Sequence, residues 1–151
     1  MSYKQIKSAL QTVAGKYKQS LSFGYGTLNE LNKDGNNYPL CWWVLPIIVT
    51  EQRSDENQTP IEAWPIILRF VDSTKFENEV DDLDNLYQKM KMIADGFMFK
   101  LAFYDDELTI SNNITKRQLF RSTDDIHTGW EYSFTITYLP DVDNCCLPFN
   151  E

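Results

Sequence analysis

Residues 130–138 form the sequence Trp-Glu-Tyr-Ser-Phe-Thr-Ile-Thr-Tyr, in which large apolar or aromatic residues alternate with polar ones. Because successive side chains of a strand point to opposite faces of a sheet, this alternation predicts a strand with one buried face. That face consists of Trp130, Tyr132, Phe134, Ile136 and Tyr138. A half-buried strand needs a layer of structure packed against it, and helices are the usual partners.

A long amphipathic helix is predicted from about Glu79 to Leu101, because apolar residues recur there at steps of three or four. Its apolar stripe consists of Val80, Leu83, Leu86, Tyr87, Met90, Ile93, Ala94, Phe97 and Leu101. Acidic residues crowd the first turns and lysines follow them, which is the order that the helix dipole favours. We expect this helix to cover the apolar face of residues 130–138.

The first 50 residues predict a second helix and a strand. Ile6, Leu10, Val13 and Tyr17 recur at helical spacing. Residues 20–26 are a loop or a short strand, and residues 27–30 have the spacing of a capping box that supports one helical turn. Residues 40–50 predict a strand with Pro46 inside it, so that this strand lies at a sheet edge, is bulged or breaks at the proline.

The middle and the end of the chain predict three further strands. Residues 60–72 form a second strand, which the polar loop 51–59 joins to the first one as a long hairpin. Residues 108–114 and 116–121 are short strands that we expect to pair with each other. Neither a repeat nor a change of composition divides the 151 residues. The prediction is a single α+β domain, residues 1–151, with a mainly antiparallel sheet packed on two helices.

The charge and the cysteines limit the classes of partner and the compartment. The formal charge is −8 at pH 7, so the overall field does not attract nucleic acid or anionic lipid. Three cysteines, Cys41, Cys145 and Cys146, do not form a disulfide framework, which predicts a reducing compartment. The longest apolar run, residues 41–49, is too short for a membrane helix and no signal peptide is visible, so we expect a soluble protein without membrane contact.

The sequence contains no pattern typical of a catalytic, cofactor-binding or metal site. Its one histidine, His127, stands in a polar stretch after Asp124 and Asp125, and we expect it on the surface. The residues 141–144, Asp-Val-Asp-Asn, lack the glycine and the distal glutamate of an EF-hand. We therefore predict no cofactor and no enzymatic activity. A small enzyme that uses carboxylates as its catalytic groups is an additional hypothesis, beside the two that are given below.

The tryptophans are the unusual feature. Trp42 and Trp43 are adjacent in a predicted strand and must point to opposite faces, and Trp64 precedes Pro65. Either the chain itself covers both faces of the sheet, or a partner subunit covers one of them. The candidate interface residues are Trp42, Trp43 and Trp64, together with Glu51, Arg53, Asp55 and Glu56 of the polar loop. The alternative function is a ligand- or peptide-binding module that uses the three indoles as an aromatic platform.

The order of these elements resembles that of the tail-terminator and neck-ring proteins of tailed bacteriophages, which are small α+β subunits between the head and the tail tube. The resemblance extends over nearly the whole chain. Its most specific parts are Asn37-Tyr38-Pro39 before a strand and the Trp-x-Tyr-x-Phe-x-Ile stretch that precedes Pro140 and Cys145. Pro46 and the pair Cys145-Cys146 depart from the family pattern. They leave two branches open, a tail terminator of a long-tailed phage and a ring component of a short-tailed, crAss-like phage.

The resemblance implies a structural virion protein of the head–tail connector or tail, which assembles in the host cytoplasm. Such subunits form a closed homo-oligomeric ring through head-to-tail contacts and touch neighbouring connector, portal or tail-tube proteins. The loop 51–59 would reach one of these neighbours. An acidic lumen would let DNA pass through the ring without specific binding.

Overall fold

The computed structural model describes residues 3–17, 21–31, 37–53, 60–73, 80–105, 108–122 and 127–138. The helices of these ranges are α1 (Tyr3–Gly15), α2 (Leu28–Leu31) and α3 (Val80–Ala102). The strands are β1 (Ser22–Gly26), β2 (Leu40–Val44), β3 (Thr50–Arg53), β4 (Pro60–Ser73), β5 (Thr109–Ile110), β6 (Thr115–Ser122) and β7 (His127–Tyr138). Helices and a mostly antiparallel sheet occupy separate layers, which confirms the predicted α+β class.

The seven strands of the described ranges form one sheet, in which β4 and β7 are central. The strand order is β1-β2-β4-β7-β5, with β3 also paired to β4 and β6 also paired to β7. β4 and β7 pair along twelve residues, from Glu62 opposite Tyr138 to Ser73 opposite His127. Among the described strands, β1 and β2 are the only pair that run parallel to each other. The long alternating stretch of the sequence is therefore a central strand of the sheet.

The predicted hairpin is present, with a break at the proline. β2 ends at Val44, the Leu45–Pro46 peptide bond is cis, and the chain pairs with β4 again only from Thr50. Pro46 was compatible with an edge strand, a bulge or a break, and the structure shows a break. The prediction that residues 51–59 are entirely loop was wrong at its start, because β3 pairs with the first residues of β4. All four side chains of β3 are polar, and both of its faces are exposed.

The predicted pairing of the two short strands with each other was wrong. β5 and β6 both pair with β7 and follow each other along the same edge. β7 is long enough to accept both strands. Ser111 joins the two ladders, because its backbone N–H donates to the Thr135 carbonyl (2.9 Å) and its hydroxyl oxygen accepts from the Thr135 N–H (3.1 Å).

The main core lies between the sheet and the two long helices. α3 packs on β4 and β7 as predicted, and α1 packs beside it. The Phe70 ring of β4 meets Phe97 of α3 and Tyr132 of β7 edge-on, with centroid distances of 5.2 and 5.5 Å. α1 ends at Gly15, so the prediction placed Tyr17 too far inside the helix. The Tyr17 hydroxyl nevertheless donates a hydrogen bond to the Ile93 carbonyl of α3.

A smaller core covers part of the other face of the sheet. It contains Leu31, Leu40, Trp42, Val71 and Leu119. The predicted single helical turn, α2, contributes Leu31, and the Glu30 N–H donates to the Thr27 hydroxyl (3.3 Å) as in a capping box. The chain therefore covers both faces of β2.

No helix in the described ranges is both long enough and apolar enough to cross a membrane.

Candidate functional site

The three candidate tryptophans are all buried within the chain. Trp43 points toward the helices, where the Tyr3 ring of α1 stacks on it at 5.2 Å between centroids. The same tyrosine ring lies 6.5 Å from Trp64. α1 therefore covers both indoles on this face.

Trp42 points to the opposite face, as the strand geometry predicted, and it is buried there as well. Its indole N–H donates to the Gly26 carbonyl (3.1 Å). Gly24 of β1 lies against the ring, and a Cβ at that position would be 2.6 Å from it. The structure thus follows the alternative in which the chain covers both faces, and none of the three candidate indoles forms an exposed platform.

Two of the four charged candidates, Glu51 and Arg53, lie in β3. Glu51 and Arg53 of β3 form an exposed ion pair of 3.0 Å, and Asp55 and Glu56 lie outside the described residues. Two exposed isoleucines accompany them, Ile48 just before β3 and Ile61 in β4. Ile61 is opposite Gln52 in the ladder, so it points to the other face of the hairpin from Glu51 and Arg53. We call the two exposed isoleucines, Ile48 and Ile61, the hairpin patch.

α3 has a second apolar stripe, on its solvent side. Met92, Phe99 and Phe103 are 69%, 64% and 76% exposed, and the two phenylalanine rings are 5.1 Å apart between centroids. The spacing of seven and four residues places the three side chains along one line. The solvent side of a surface helix is normally polar, and exposed apolar patches typically mark interaction sites. We call these three residues the α3 stripe.

The α3 stripe was missed in the sequence, although its spacing is visible there. Most apolar residues of this helix belong to the stripe that faces the core. Met92, Phe99 and Phe103 lie instead on the face where the helical period predicts polar residues. Three large apolar residues on the polar side of an otherwise regular helix are the signal that indicates such a surface.

A groove of about 560 Å³ lies between α3 and the end of α1, and Met92 of the α3 stripe lies at its edge. It is lined by Val13, Lys16, Tyr17, Lys89, Met92, Ile93, Gly96 and Lys100. Gly96 lets the end of α1 approach α3, since a Cβ there would be 2.8 Å from the Tyr17 hydroxyl. We call this feature the α1–α3 groove.

Three lysines surround the apolar floor of the groove. Lys89 forms an ion pair with Asp72 (2.9 Å), whereas Lys16 and Lys100 form none with any carboxylate that the structure describes. The Lys16 ammonium lies 5.8 Å from the centroid of the Tyr104 ring. The groove is thus locally basic on a chain whose formal charge is −8.

A polar network on the neighbouring side of α3 joins this helix to the sheet. The Asp95 carboxylate accepts from Lys91 (2.7 Å), Lys116 (2.9 Å) and the Tyr132 hydroxyl (2.5 Å). Partial burial raises the pKa of Asp95, but the hydrogen bonds from these donors outweigh it and hold the pKa at about 2. Burial and the nearby carboxylate raise the pKa of Tyr132. The network therefore links α3 to β6 and β7.

The other face of the sheet contains a charged row across β4, β7 and β6. Glu131 accepts from the buried Arg69 (2.9 Å) on one side and from the exposed Arg117 (3.1 Å) on the other. The alternating pattern placed Glu131 correctly on the face opposite Tyr132. The row satisfies a buried guanidinium and has a structural role.

The prediction that His127 lies on the surface was wrong. His127 is fully buried at the start of β7, and its Nε2 atom lies 2.7 Å from the Tyr38 hydroxyl oxygen. β7 begins three residues before the alternating stretch, where it pairs with both Ser73 and Ser122. The flanking polar residues concealed this extension of the strand.

Within the described ranges, no group of three or more His, Cys, Asp or Glu residues is placed to hold a metal ion. Neither the models of known protein families nor the curated proteins give a match to this chain.

Proposed function

We propose that this chain is a structural subunit of the head–tail connector or tail of a tailed bacteriophage, and that it assembles with copies of itself into a ring. The observation that carries the proposal is the presence of exposed apolar side chains in at least two separate parts of the described surface. One part is the α3 stripe and another is the hairpin patch, and the Phe120 side chain of β6 is exposed as well.

Two different patches are what a ring requires. A closed ring uses head-to-tail contacts, in which one surface of a subunit binds a different surface of the next, whereas a two-fold dimer needs only one patch that binds itself. Phe99 and Phe103 supply rigid aromatic surface, and residues of this kind are enriched in interface cores.

The acidic composition supports the same proposal. A formal charge of −8 repels DNA phosphates, so a ring of these subunits would let DNA pass without binding it. The neighbours along the virion axis would be connector, portal or tail-tube proteins.

The alternative, a peptide-binding module, is supported by the α1–α3 groove. Its volume of about 560 Å³ and its apolar floor are suitable for a short peptide. This alternative predicts a monomer or a small dimer and no ring, because peptide binding in the groove requires no assembly of copies.

Light scattering over a concentration series, with negative-stain imaging of any large species, tests the proposal. We expect rings with a central hole from the native chain and monomers from Phe103→Asp and from Ile48→Asp. In an equimolar mixture, Phe103→Asp retains the hairpin patch and Ile48→Asp retains the α3 stripe. One copy of each variant can therefore bind the other, and the mixture should give dimers and nothing larger.

Gln118→Asp changes an exposed residue of β6 outside both patches and should still form rings. A native chain that stays monomeric at the highest concentration contradicts the proposal. Dimers formed by Ile48→Asp alone would also contradict it, because they would reveal a two-fold contact.

A further inference from the structure

We propose that the α1–α3 groove is the docking site for residues 139–151 of the same chain. This segment, Leu-Pro-Asp-Val-Asp-Asn-Cys-Cys-Leu-Pro-Phe-Asn-Glu, contains three acidic residues and no basic one. It also contains the apolar residues Val142, Leu147 and Phe149. We call it the acidic segment.

The chemistry of the groove matches that of the acidic segment. Val13, Ile93 and the backbone at Gly96 form an apolar floor for side chains such as Leu147 and Phe149. Lys16 and Lys100 at the rim have no described carboxylate partner, and the acidic segment brings Asp141, Asp143 and Glu151. Apolar side chains thus meet an apolar floor while carboxylates meet ammonium groups.

The acidic segment starts directly after β7 and is long enough to reach the groove. Thr137 pairs with Thr109 of β5, and β5 follows soon after the end of α3. From Ala102 to Met92 the helix axis covers about 15 Å at its rise of ~1.5 Å per residue. The thirteen residues of the segment span up to about 45 Å when extended, so they reach the groove.

The short tether favours the segment's own groove over that of another copy. A connection of at most thirteen residues gives an effective local concentration of about 1 mM or more, far above that of a second copy in dilute solution. The inference does not depend on ring assembly, because the segment and the groove belong to one chain.

Disulfide trapping in the full chain tests the inference, because the acidic segment already contains Cys145 and Cys146. Met92→Cys places a thiol at an exposed position on the groove. The remaining cysteine, Cys41, is buried in the main core, so it does not compete for the new thiol. The matched control is Gln118→Cys, on exposed β6.

After mild oxidation of a dilute sample, we expect Met92→Cys to give a disulfide to Cys145 or Cys146 in a product of monomer mass. Its yield, measured by mass spectrometry of a non-reduced digest, should be several-fold above that of Gln118→Cys. Equal yields for the two variants would overturn the inference. A product that is mainly of dimer mass would overturn it too, because the groove would then hold the segment of another copy.

A charge exchange tests the role of the lysines in the same Met92→Cys background. Lys16→Glu with Lys100→Glu should lower the disulfide yield several-fold, and adding Asp141→Lys with Asp143→Lys should restore it. Lys4→Glu, on the exposed first turn of α1, is the control and should leave the yield unchanged. A disulfide yield that is unchanged by Lys16→Glu with Lys100→Glu would contradict the proposed contact between lysines and carboxylates.

Discussion

At the scale of single residues, Gly129 shows how closely the strands of the core approach each other. A Cβ at this position of β7 would lie 1.9 Å from the Phe70 carbonyl oxygen of β4, and backbone atoms cannot move aside as a flexible side chain can. The position accepts only glycine, although its backbone conformation is an ordinary extended one.

Gly129→Ala should therefore lower the free energy of unfolding by about 3 kcal/mol, the upper part of the usual cost of overpacking. Chemical denaturation followed by tryptophan fluorescence measures the change. Gly15→Ala is the control, because a Cβ at Gly15 has no atom within 4 Å and should be neutral or slightly stabilising. Equal stability of Gly129→Ala and the native chain would show that the two strands can separate at this point.

Asp95 makes stability depend on pH. Its pKa is lowered to about 2 in the folded chain from the ordinary value of 3.8, so the folded state favours the carboxylate. The resulting stabilisation is fully present above the ordinary pKa and is lost as the pH falls toward 2. Because the side chain is 39% exposed, solvent screening limits the contribution to about 1 kcal/mol.

Asp95→Asn should consequently be less stable than the native chain near neutral pH, and the difference should shrink on acidification. Unfolding free energies of both proteins between about pH 6 and about pH 2 measure this. A difference that stays constant over the range would show that the loss comes from packing and not from the charge.

At the scale of elements, the row of Arg69, Glu131 and Arg117 joins β4, β7 and β6. Glu131→Gln removes the charge that compensates the buried Arg69, and we expect a loss of about 3 kcal/mol in unfolding free energy. Arg117→Ala removes only the exposed donor and should cost less than about 1 kcal/mol. Chemical denaturation of both variants measures the two losses, and similar values for them would contradict this division between a buried and an exposed pair.

The helices and strands that the sequence predicted best are those with one buried and one exposed face over many residues, because this gives a clear apolar period. α3 and β7 satisfy this condition, and their periods of 3.6 and 2 residues identified both type and position. β3 has no buried face, so its four polar residues looked like loop. The partner of β5 and β6 was not predictable from composition, because two short strands can pair with each other or with a longer strand beside them.

The candidate site was less predictable than the fold, since burial depends on distant parts of the chain. The sequence predicted that Trp42 and Trp43 point to opposite faces of the sheet. It did not predict that α1, β1 and α2 bury them, because these elements are distant in the sequence. The α1–α3 groove brings together residues near positions 15 and 95, and no local pattern indicates that contact. Only the α3 stripe was readable from local spacing.

At the scale of the whole molecule, self-association should depend on exposed aromatic side chains that contribute little to folding. The double variant Phe99→Ser with Phe103→Ser should keep its unfolding free energy within about 0.5 kcal/mol, because both side chains are mostly exposed. It should lose higher-order species in light scattering. Phe97→Ser, two residues away in the main core, should instead destabilise the fold by about 3 kcal/mol or more. If the double variant associates as the native chain does, the α3 stripe is not part of the contact between copies.

The net charge gives a second prediction at this scale. With a formal charge of −8, the protein should not shift the mobility or the fluorescence anisotropy of duplex DNA at physiological salt. A tight complex that weakens steeply with added salt would contradict the proposed passage of DNA through an acidic ring.

The long pairing of β4 with β7 also has a consequence for folding. The ladder connects Ser73 to His127 at one end and Glu62 to Tyr138 at the other, and α3, β5 and β6 all lie in the chain between them. Closing so long a loop before its contacts form is slow, so we expect refolding on the millisecond-to-second scale typical of sheets with distant pairings. For the same reason, backbone amide protons of β4 and β7 should exchange with solvent last, and only when the whole domain opens.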